Sequence, residues 1–312
     1  MRDIKDEYKN QFHSILLRAG VEHRFLTGRH TPCLFCGGRD RARWIADKEI
    51  LWCNVCQPKH GIDALMQYIG MSFKETCQYI RGDTKMEYKT STVKRIDPLP
   101  RLKQIHKGLK QVKRGDVVAR YLKSRGINKW GDDIFTHTNI PYYGGYVDGK
   151  KVEGVFNAMV SRVTDMHDQL ETYHITYLTE DAKKIDFAPA KIIVTPKTTI
   201  TGNSVKLKKA GKHLCVAEGI ETALMVMQEE GIPCWSALNA NGMAKMEVPA
   251  SVEMVSIFID NDESFTGQSA GYQLARRLKG KGVQVNAICD WEKGEDYLDY
   301  INRNVVKDKS VA

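Results

Sequence analysis

Two short apolar runs in this chain end in acids. Glu218-Gly219 follow His213-Leu-Cys-Val-Ala217, and Asp260-Asn261-Asp262 follow Met254-Val-Ser-Ile-Phe-Ile259. Runs of that length closed by turn residues read as buried strands of a parallel sheet. Ligands of such sheets sit beyond the carboxyl ends of the strands, so Glu218, Asp260 and Asp262 are expected to converge in one crevice. Crowded carboxylates repel one another unless a divalent cation holds them. Hard oxygen ligands suit Mg²⁺ or Mn²⁺, which leave coordination positions for water and substrate phosphates. These residues propose metal-assisted phosphoryl transfer.

A second set of residues points to a different metal. Cys33-x2-Cys36 and Cys53-x2-Cys56 are separated by sixteen residues, the two-knuckle spacing of a zinc ribbon. Each pair lets one tight turn offer two thiolates, and Gly37-Gly38 supplies the backbone freedom a knuckle needs. Four thiolates close a tetrahedral Zn²⁺ site, so this metal is expected to be structural. His30 and His60 read as neighbours rather than ligands. Cys77, Cys215, Cys234 and Cys289 lie in apolar settings and read as small core residues.

The elements that must position these groups follow from composition and periodicity. A chain of 312 residues with 42% hydrophobic and 9% aromatic residues has room for two or three domains with proper cores. No run approaches the roughly 18 apolar residues of a membrane span. The amino terminus lacks the apolar stretch of a signal peptide, which predicts a cytoplasmic location with reduced cysteines and no membrane partner. The net charge of +9 is concentrated: Arg81 to Arg125 holds 14 Lys/Arg against 4 Asp/Glu. Such a segment favours a polyanionic partner, because neutralised phosphates release counterions.

The predicted fold class combines α+β and α/β parts. Residues 1–81 form a zinc-ribbon domain, with a helix over 8–19, a hairpin turning at Asp47-Lys48 and two short helices after Gly61. Residues 82–113 form a basic linker. Residues 114–210 form a mixed subdomain with a helix over 117–126 and antiparallel strands at 155–164 and 173–178. Residues 211–312 alternate: strand 213–217, helix 220–230, strands 232–237 and 254–259, helix 268–279, strand 283–288 and helix 295–302. That alternation implies a mainly parallel sheet flanked by helices. Trp44 and Trp52 flank the hairpin, where they pack against the ribbon or stack on unpaired bases.

The segment Val216-Ala-Glu218-Gly219-Ile-Glu221-Thr222 resembles the first motif of the TOPRIM domain, which bacterial-type primases, topoisomerases and some nucleases share. Asp260-Asn-Asp262, followed by Gly267 and Ala270-Gly271, resembles its DxD motif. Glu292-Lys-Gly-Glu-Asp296-Tyr-Leu-Asp299 is similar to the third acidic element of phage- and plasmid-type primases. Gly294-Glu295 stand where many relatives place Lys-Asp, so both Asp290 and Asp296 remain open as the third acid, with Asp296 preferred. Tyr121-Leu-Lys-Ser-Arg-Gly126 and Tyr173-His174-Ile-Thr-Tyr177-Leu178 are similar to segments that precede TOPRIM in the same proteins. With a zinc ribbon in front, the order resembles phage-type DNA primase.

That resemblance implies a nucleotidyltransferase making short RNA primers on single-stranded DNA from ribonucleoside triphosphates. Asp260, Asp262 and Asp296 would hold Mg²⁺ or Mn²⁺, and Glu218 would be a further ligand or the base for the attacking 3′-hydroxyl. Glu221 and Asp299 read as exposed helix caps. Lys206, Lys208, Lys209 and Lys212 before the first strand, with Lys191 and Lys197 in the preceding sheet, are expected to meet triphosphate and template. Arg162 and His174 are expected to face the same cleft. No P-loop follows, so a replicative helicase would act in trans, in phage or plasmid replication within a bacterial host. Two alternatives use the same parts: a TOPRIM nuclease that cuts with the same acids, and a RecR-like recombination mediator that binds DNA without chemistry. A topoisomerase is disfavoured, because no segment is long enough for the gate that carries its tyrosine.

Overall fold

The computed structural model describes residues 4–53, 58–82, 97–143, 146–147 and 150–311. The chain divides into two compact units: Met1–Asp97 with Gly144–Val152, and Pro98–Tyr143 with Glu153–Ala312.

The first unit begins with a short turn, α1 (Ile4–Glu7), and α2 (Phe12–Arg18). Strands β1 (Thr31–Cys33), β2 (Gly37–Ile45), β3 (Ile50–Cys53) and β4 (Lys59–His60) form an antiparallel sheet in that order. The hairpin between β2 and β3 turns where predicted, through a 3-10 turn over Ala46–Lys48 and Glu49 at φ 50°. Arg43 pairs with Trp52 and Trp44 with Leu51, so the two tryptophans point to opposite faces of the sheet. Trp44 lies in the core, whereas Trp52 is 40% exposed. The buried Glu49 carboxylate accepts hydrogen bonds from the Asn10 and Phe12 amides, at 2.8 Å each, and so anchors the start of α2.

Two helices close the unit. His60 caps α3 (Gly61–Ile69), its ring nitrogen accepting from the Ile62 amide. Ser72 and Glu75 form a capping box on α4 (Phe73–Arg81). Phe12, Leu16, Ile62, Leu65, Trp44, Leu51 and Ile80 make one apolar core. At its centre α2 and α3 approach so closely that a Cβ on Gly61 would lie 2.3 Å from Phe12 Cβ. Gly61→Ala is therefore expected to destabilise this unit by roughly 1–3 kcal/mol, the usual effect of overpacking, measured as a lower melting temperature of its transition.

In the second unit, α5 (Leu99–Lys107) buries Leu102 and Ile105, and β5 (Lys110–Gln111) pairs with β6 (Ile134–Pro141). Residues 99–113 are thus folded, and the predicted linker does not reach 113. Leu102 and Ile105 give this segment an apolar helical side that its many lysines masked. The described part of residues 82–113 otherwise lies outside any helix or strand, and 83–96 are outside the described residues. Asp116 caps α6 (Val117–Ser124), which falls within the helix expected over 117–126. A small hairpin that belongs to the first unit, β7 (Tyr146–Val147) and β8 (Lys150–Lys151), interrupts the second unit's chain here.

Strands β9 (Val155–Thr164), β10 (Leu170–Leu178) and β11 (Lys191–Ile193) complete an antiparallel sheet of order β11-β10-β9-β6-β5. Strand β6 was not foreseen, because its Thr136-His-Thr-Asn139 centre interrupts any apolar alternation. A third sheet has the order β12-β14-β13-β15-β16, from β12 (Val205–Lys206), β13 (His213–Ala217), β14 (Cys234–Ser236), β15 (Met254–Phe258) and β16 (Gln284–Ile288). β13 to β16 run parallel and β12 is antiparallel. Helices α7 (Ile220–Glu230), α8 (Ala240–Lys245), α9 (Thr266–Lys279) and α10 (Tyr297–Val311) flank this sheet. Leu214, Val216, Val255 and Ile257 are fully buried, which explains why these strands read as unbroken apolar runs.

The connection leaving β13 runs to β14 on one side, and the one leaving β15 runs to β16 on the other. The crevice between the carboxyl ends of β13 and β15 is therefore a topological switch point, where ligands of open parallel sheets bind.

Candidate active site and zinc centre

Ala217 and Phe258 are paired at the ends of β13 and β15, so the next residues of both strands enter one crevice. Glu218 comes from the first strand, and its carbonyl accepts from the Leu238 amide and the Ser236 hydroxyl. Asp260 and Asp262 come from the second. The Gly267 amide donates to Asp262 Oδ2 at 2.8 Å and fixes that carboxylate at the start of α9. A Cβ on Gly267 would stand 2.6 Å from the Asp260 carbonyl oxygen, so only glycine lets the helix approach the acid loop this closely. Gly267→Ala is expected to displace Asp260 and Asp262 and cut turnover roughly 10²-fold while the protein stays folded, read from steady-state rates beside circular dichroism.

Asn261, between the two aspartates, is a structural clasp. Its Nδ2 donates to the Trp291 carbonyl at 2.8 Å, its amide donates to the Glu295 carbonyl, and its carbonyl accepts from the Gly294 amide. This clasp brings the third acidic segment to the site. Asp296 lines the cleft, its Oδ2 accepting from the Thr222 hydroxyl at 2.7 Å, whereas Asp290 is exposed. Of the two candidates for third acid, Asp296 is the one in the cleft. Asp296 also caps α10, its Oδ1 accepting from the Asp299 amide, and the exposed Asp299 carboxylate accepts in return from the Asp296 amide.

The cleft has a volume of about 240 Å³ and is lined by Glu218, Glu221, Asp260 and Asp296 together with Arg125, Lys184 and Lys191. Burial, then the charges of Glu218, Asp296, Asp262 and Asp299, push the Asp260 pKa up to about 8. Burial and Asp262 also raise Glu218. Asp260 Oδ1 is buried with no hydrogen-bond partner, although a carboxylate oxygen is costly to leave unsatisfied. Crowded hard oxygens with an orphaned atom fit a divalent cation. Among the described residues, the acids do not form a set whose ligand atoms all lie within 4.8 Å. Such spacing suits an ion that takes one or two carboxylates and fills its remaining positions with water and phosphate oxygens.

Glu221 is not an exposed cap but one of the most buried charges in the unit. Lys191 Nζ lies 2.9 Å from its Oε2, Lys184 Nζ 3.1 Å from its Oε1, and the Tyr121 hydroxyl donates to Oε1 at 2.7 Å. Burial opposes its charge, but Lys191, Lys184 and Tyr121 outweigh that and hold its carboxyl well below the usual range.

The other predicted cations are placed differently. Lys191 alone of that group lines the cleft. Lys206 is held by Asp168 and the Asp165 carbonyl at 2.6 Å each, with its ammonium over the Trp235 ring. Because β12 is antiparallel to β14, the chain after Lys206 runs toward the amino ends of the parallel strands. Lys208, Lys209 and Lys212 follow that path and are exposed. The Lys212 carbonyl receives the Glu253 and Met254 amides at the start of β15, so these lysines lie at the opposite end of the sheet from the acids. Lys197 is exposed beside Glu171.

Arg162 pairs in register with Tyr173, and His174 with Ser161, so Arg162 and His174 project from opposite faces and do not share a cleft. Arg162 binds the buried Asp133 carboxylate at 2.6 Å, and burial pushes His174 down to about 4, leaving it neutral. The cleft cations missed in the sequence, Arg125 and Lys184, sit at the end of α6 and in the turn after β10. The only signal was Arg125 in the Tyr121–Gly126 segment, and no local pattern marks a residue that tertiary contacts bring in.

In the first unit, Cys33, Cys36 and Cys53 offer three sulfurs within 4.8 Å of one another, and Cys36 and Cys53 Sγ are 3.7 Å apart. Tetrahedral Zn–S bonds of about 2.3 Å place sulfurs roughly 3.8 Å apart, so the set fits zinc. The Phe35 amide points at Cys33 Sγ, and Gly37 has φ 69°, as expected of a knuckle. The fourth predicted ligand, Cys56, lies outside the described residues. Trp44 is buried and cannot stack on a base, whereas Trp52 is accessible. Cys215 and Cys234 are buried neighbours on β13 and β14, while Cys77 and Cys289 are half-buried.

The switch-point sheet with its acids matches the Toprim domain family over residues 213–305. Residues 99–206 match a domain of unknown function, DUF7146. The chain is similar to the zinc-binding and RNA polymerase domains of the Aquifex aeolicus primase, with a TM-score of 0.45 and 16% identity over 97% of this chain and 83% of that one. It is also similar to the primase fragment of the bacteriophage T7 primase-helicase (TM-score 0.37, 16% identity, 89% and 98% covered). A DNA primase domain from Pseudomonas aeruginosa matches with a TM-score of 0.41 and 13% identity, covering 66% of this chain and 73% of that one.

Proposed function

We propose that the protein is a DNA primase that joins ribonucleotides on single-stranded DNA. The observation that carries this reading is the orphaned Asp260 Oδ1, set among Glu218, Asp262 and Asp296 at the switch point of a Toprim domain that follows a cysteine cluster. Bound Mg²⁺ or Mn²⁺ would neutralise triphosphate charge and polarise the attacked α-phosphate.

The chain's own groups do the rest. One or two of Asp260, Asp262 and Asp296 would hold the cation, with water and phosphate oxygens in its other positions. Glu218, whose pKa is raised by burial and by Asp262, would take the proton from the attacking 3′-hydroxyl. Lys184, Lys191 and Arg125 line the same cleft, where they would receive the triphosphate. The cysteine cluster, holding zinc, would present Trp52 and the first unit's basic residues to the template, and a helicase would act in trans.

The test is direct. Purified protein is incubated with single-stranded DNA, Mg²⁺ and labelled ribonucleoside triphosphates, and products are resolved by length. Short oligoribonucleotides that require the template and Mg²⁺ are expected. Template cleavage without synthesis would establish a nuclease instead, and DNA binding with neither product would establish a mediator.

A further inference from the structure

We propose that Glu221 is a positioning residue: it holds Lys184 and Lys191 away from the metal-binding acids, so that the cleft keeps one negative wall and one positive wall. This inference rests on the reading of those acids as cation ligands.

One buried carboxylate is shared by two ammonium groups, each on a different oxygen, and a phenol completes the set. Lys184 comes from the turn after β10 and Lys191 from β11, while Glu221 comes from α7 of the Toprim domain. The carboxylate therefore tethers cations of the antiparallel sheet to the sheet that carries the acids.

Those cations share a cleft of about 240 Å³ with Glu218, Asp260 and Asp296. At the low effective dielectric of such a site, lysines released from Glu221 would pair with the nearest unneutralised carboxylates. Asp260 Oδ1, with no partner, is the most exposed to such capture. A lysine bound there would occupy the position of the cation and also leave the triphosphate without a partner. Neither His174 nor Tyr121 beside it can replace Glu221. His174 feels its charge but is neutral, and Tyr121 is a donor whose burial raises its pKa further.

Mn²⁺ binding to the full chain, followed by the electron paramagnetic resonance of the free ion, tests this without requiring turnover. Glu221→Gln is expected to weaken Mn²⁺ binding on the order of tenfold or more, because two lysines then compete for the acids. Adding Lys184→Met and Lys191→Met to that variant is expected to restore the affinity. The two methionine substitutions in the otherwise unchanged protein should not weaken it, because they only remove positive charge from the cleft. A purely packing role for Glu221 predicts a lower melting temperature with unchanged Mn²⁺ affinity, and that result overturns the proposal.

If Glu221→Gln does not fold, the singly substituted Lys184→Met and Lys191→Met proteins decide. Weaker Mn²⁺ binding in either would show that the lysines already assist the metal site, contrary to the proposal. Normal Mn²⁺ behaviour without primer synthesis by the unaltered protein would instead refute the primase reading and leave the Glu221 arrangement standing.

Discussion

Asp260→Asn is expected to abolish primer synthesis and, without divalent ions, to raise the melting temperature of the second unit. The activity loss should be on the order of 10³-fold, matching the several kcal/mol that a correctly held cation contributes to a phosphoryl-transfer transition state. The stability gain has the same origin. Asp260 is half-buried beside four other carboxylates, and its buried Oδ1 has no partner. An amide of the same shape removes the repulsion. Relief of roughly 1 kcal/mol corresponds to about 2–4 °C in a unit of this size.

The sign with pH is fixed. The folded pKa, about 8, lies above the ordinary value of 3.8. Between those values the native state binds a proton that the unfolded chain has released, so metal-free stability declines as the pH rises. Asp260→Asn should flatten that decline. Saturating Mg²⁺ should stabilise the wild type, which it binds, and do little for the variant. Thermal melts from pH 5 to 8, with and without Mg²⁺, check each part. A variant that is less stable than wild type in chelator would mean that Asp260 is held by hydrogen bonds rather than crowded by charge.

The acids were legible because parallel strands buried on both faces must be continuous apolar runs, and the residues after such runs have nowhere to go but the switch-point crevice. The cysteines were legible because a chelate needs fixed spacing within each knuckle. The cations were not. A lysine's place depends on strand direction and face, and both are tertiary facts. Lys208, Lys209 and Lys212 precede the first Toprim strand closely in sequence, yet they stand at its far end, because β12 runs antiparallel to β14.

His174 and Arg162 failed for a related reason. The strands of both were foreseen, but register decides the face, and a one-residue offset reverses it. Glu221 was read as a cap because it lies in the first turn of α7. Its partners, Tyr121, Lys184 and Lys191, are 30 to 100 residues away. The helix at Leu99–Lys107 was hidden by charge, since Leu99, Leu102 and Ile105 among basic neighbours are a faint period to read against a net positive segment.

Removal of zinc is expected to unfold the first unit and leave the second intact. Cys33 ends β1 and Cys53 ends β3, while Cys36 lies in the turn before β2, so the metal would join strands that β-pairing alone connects through few residues. Trp44 on β2 and Leu51 on β3 belong to the apolar core shared with α2 and α3. Loss of the metal therefore frays the sheet that supplies one side of that core. Structural zinc contributes apparent binding energies of about 10–16 kcal/mol near neutral pH, as large as the whole stability of a domain of this size, about 5–15 kcal/mol.

Cys53→Ser should accordingly lose zinc, measured by atomic absorption, together with the first unit's unfolding transition. The second unit's transition and its Mn²⁺ binding should persist, because the Toprim acids and their sheet belong to the other unit. Primer synthesis on single-stranded DNA should fall in that variant while metal binding at Asp260 stays normal, which separates template handling from chemistry. Retention of one zinc per chain and of the first transition in Cys53→Ser would show that the cysteines do not form the site.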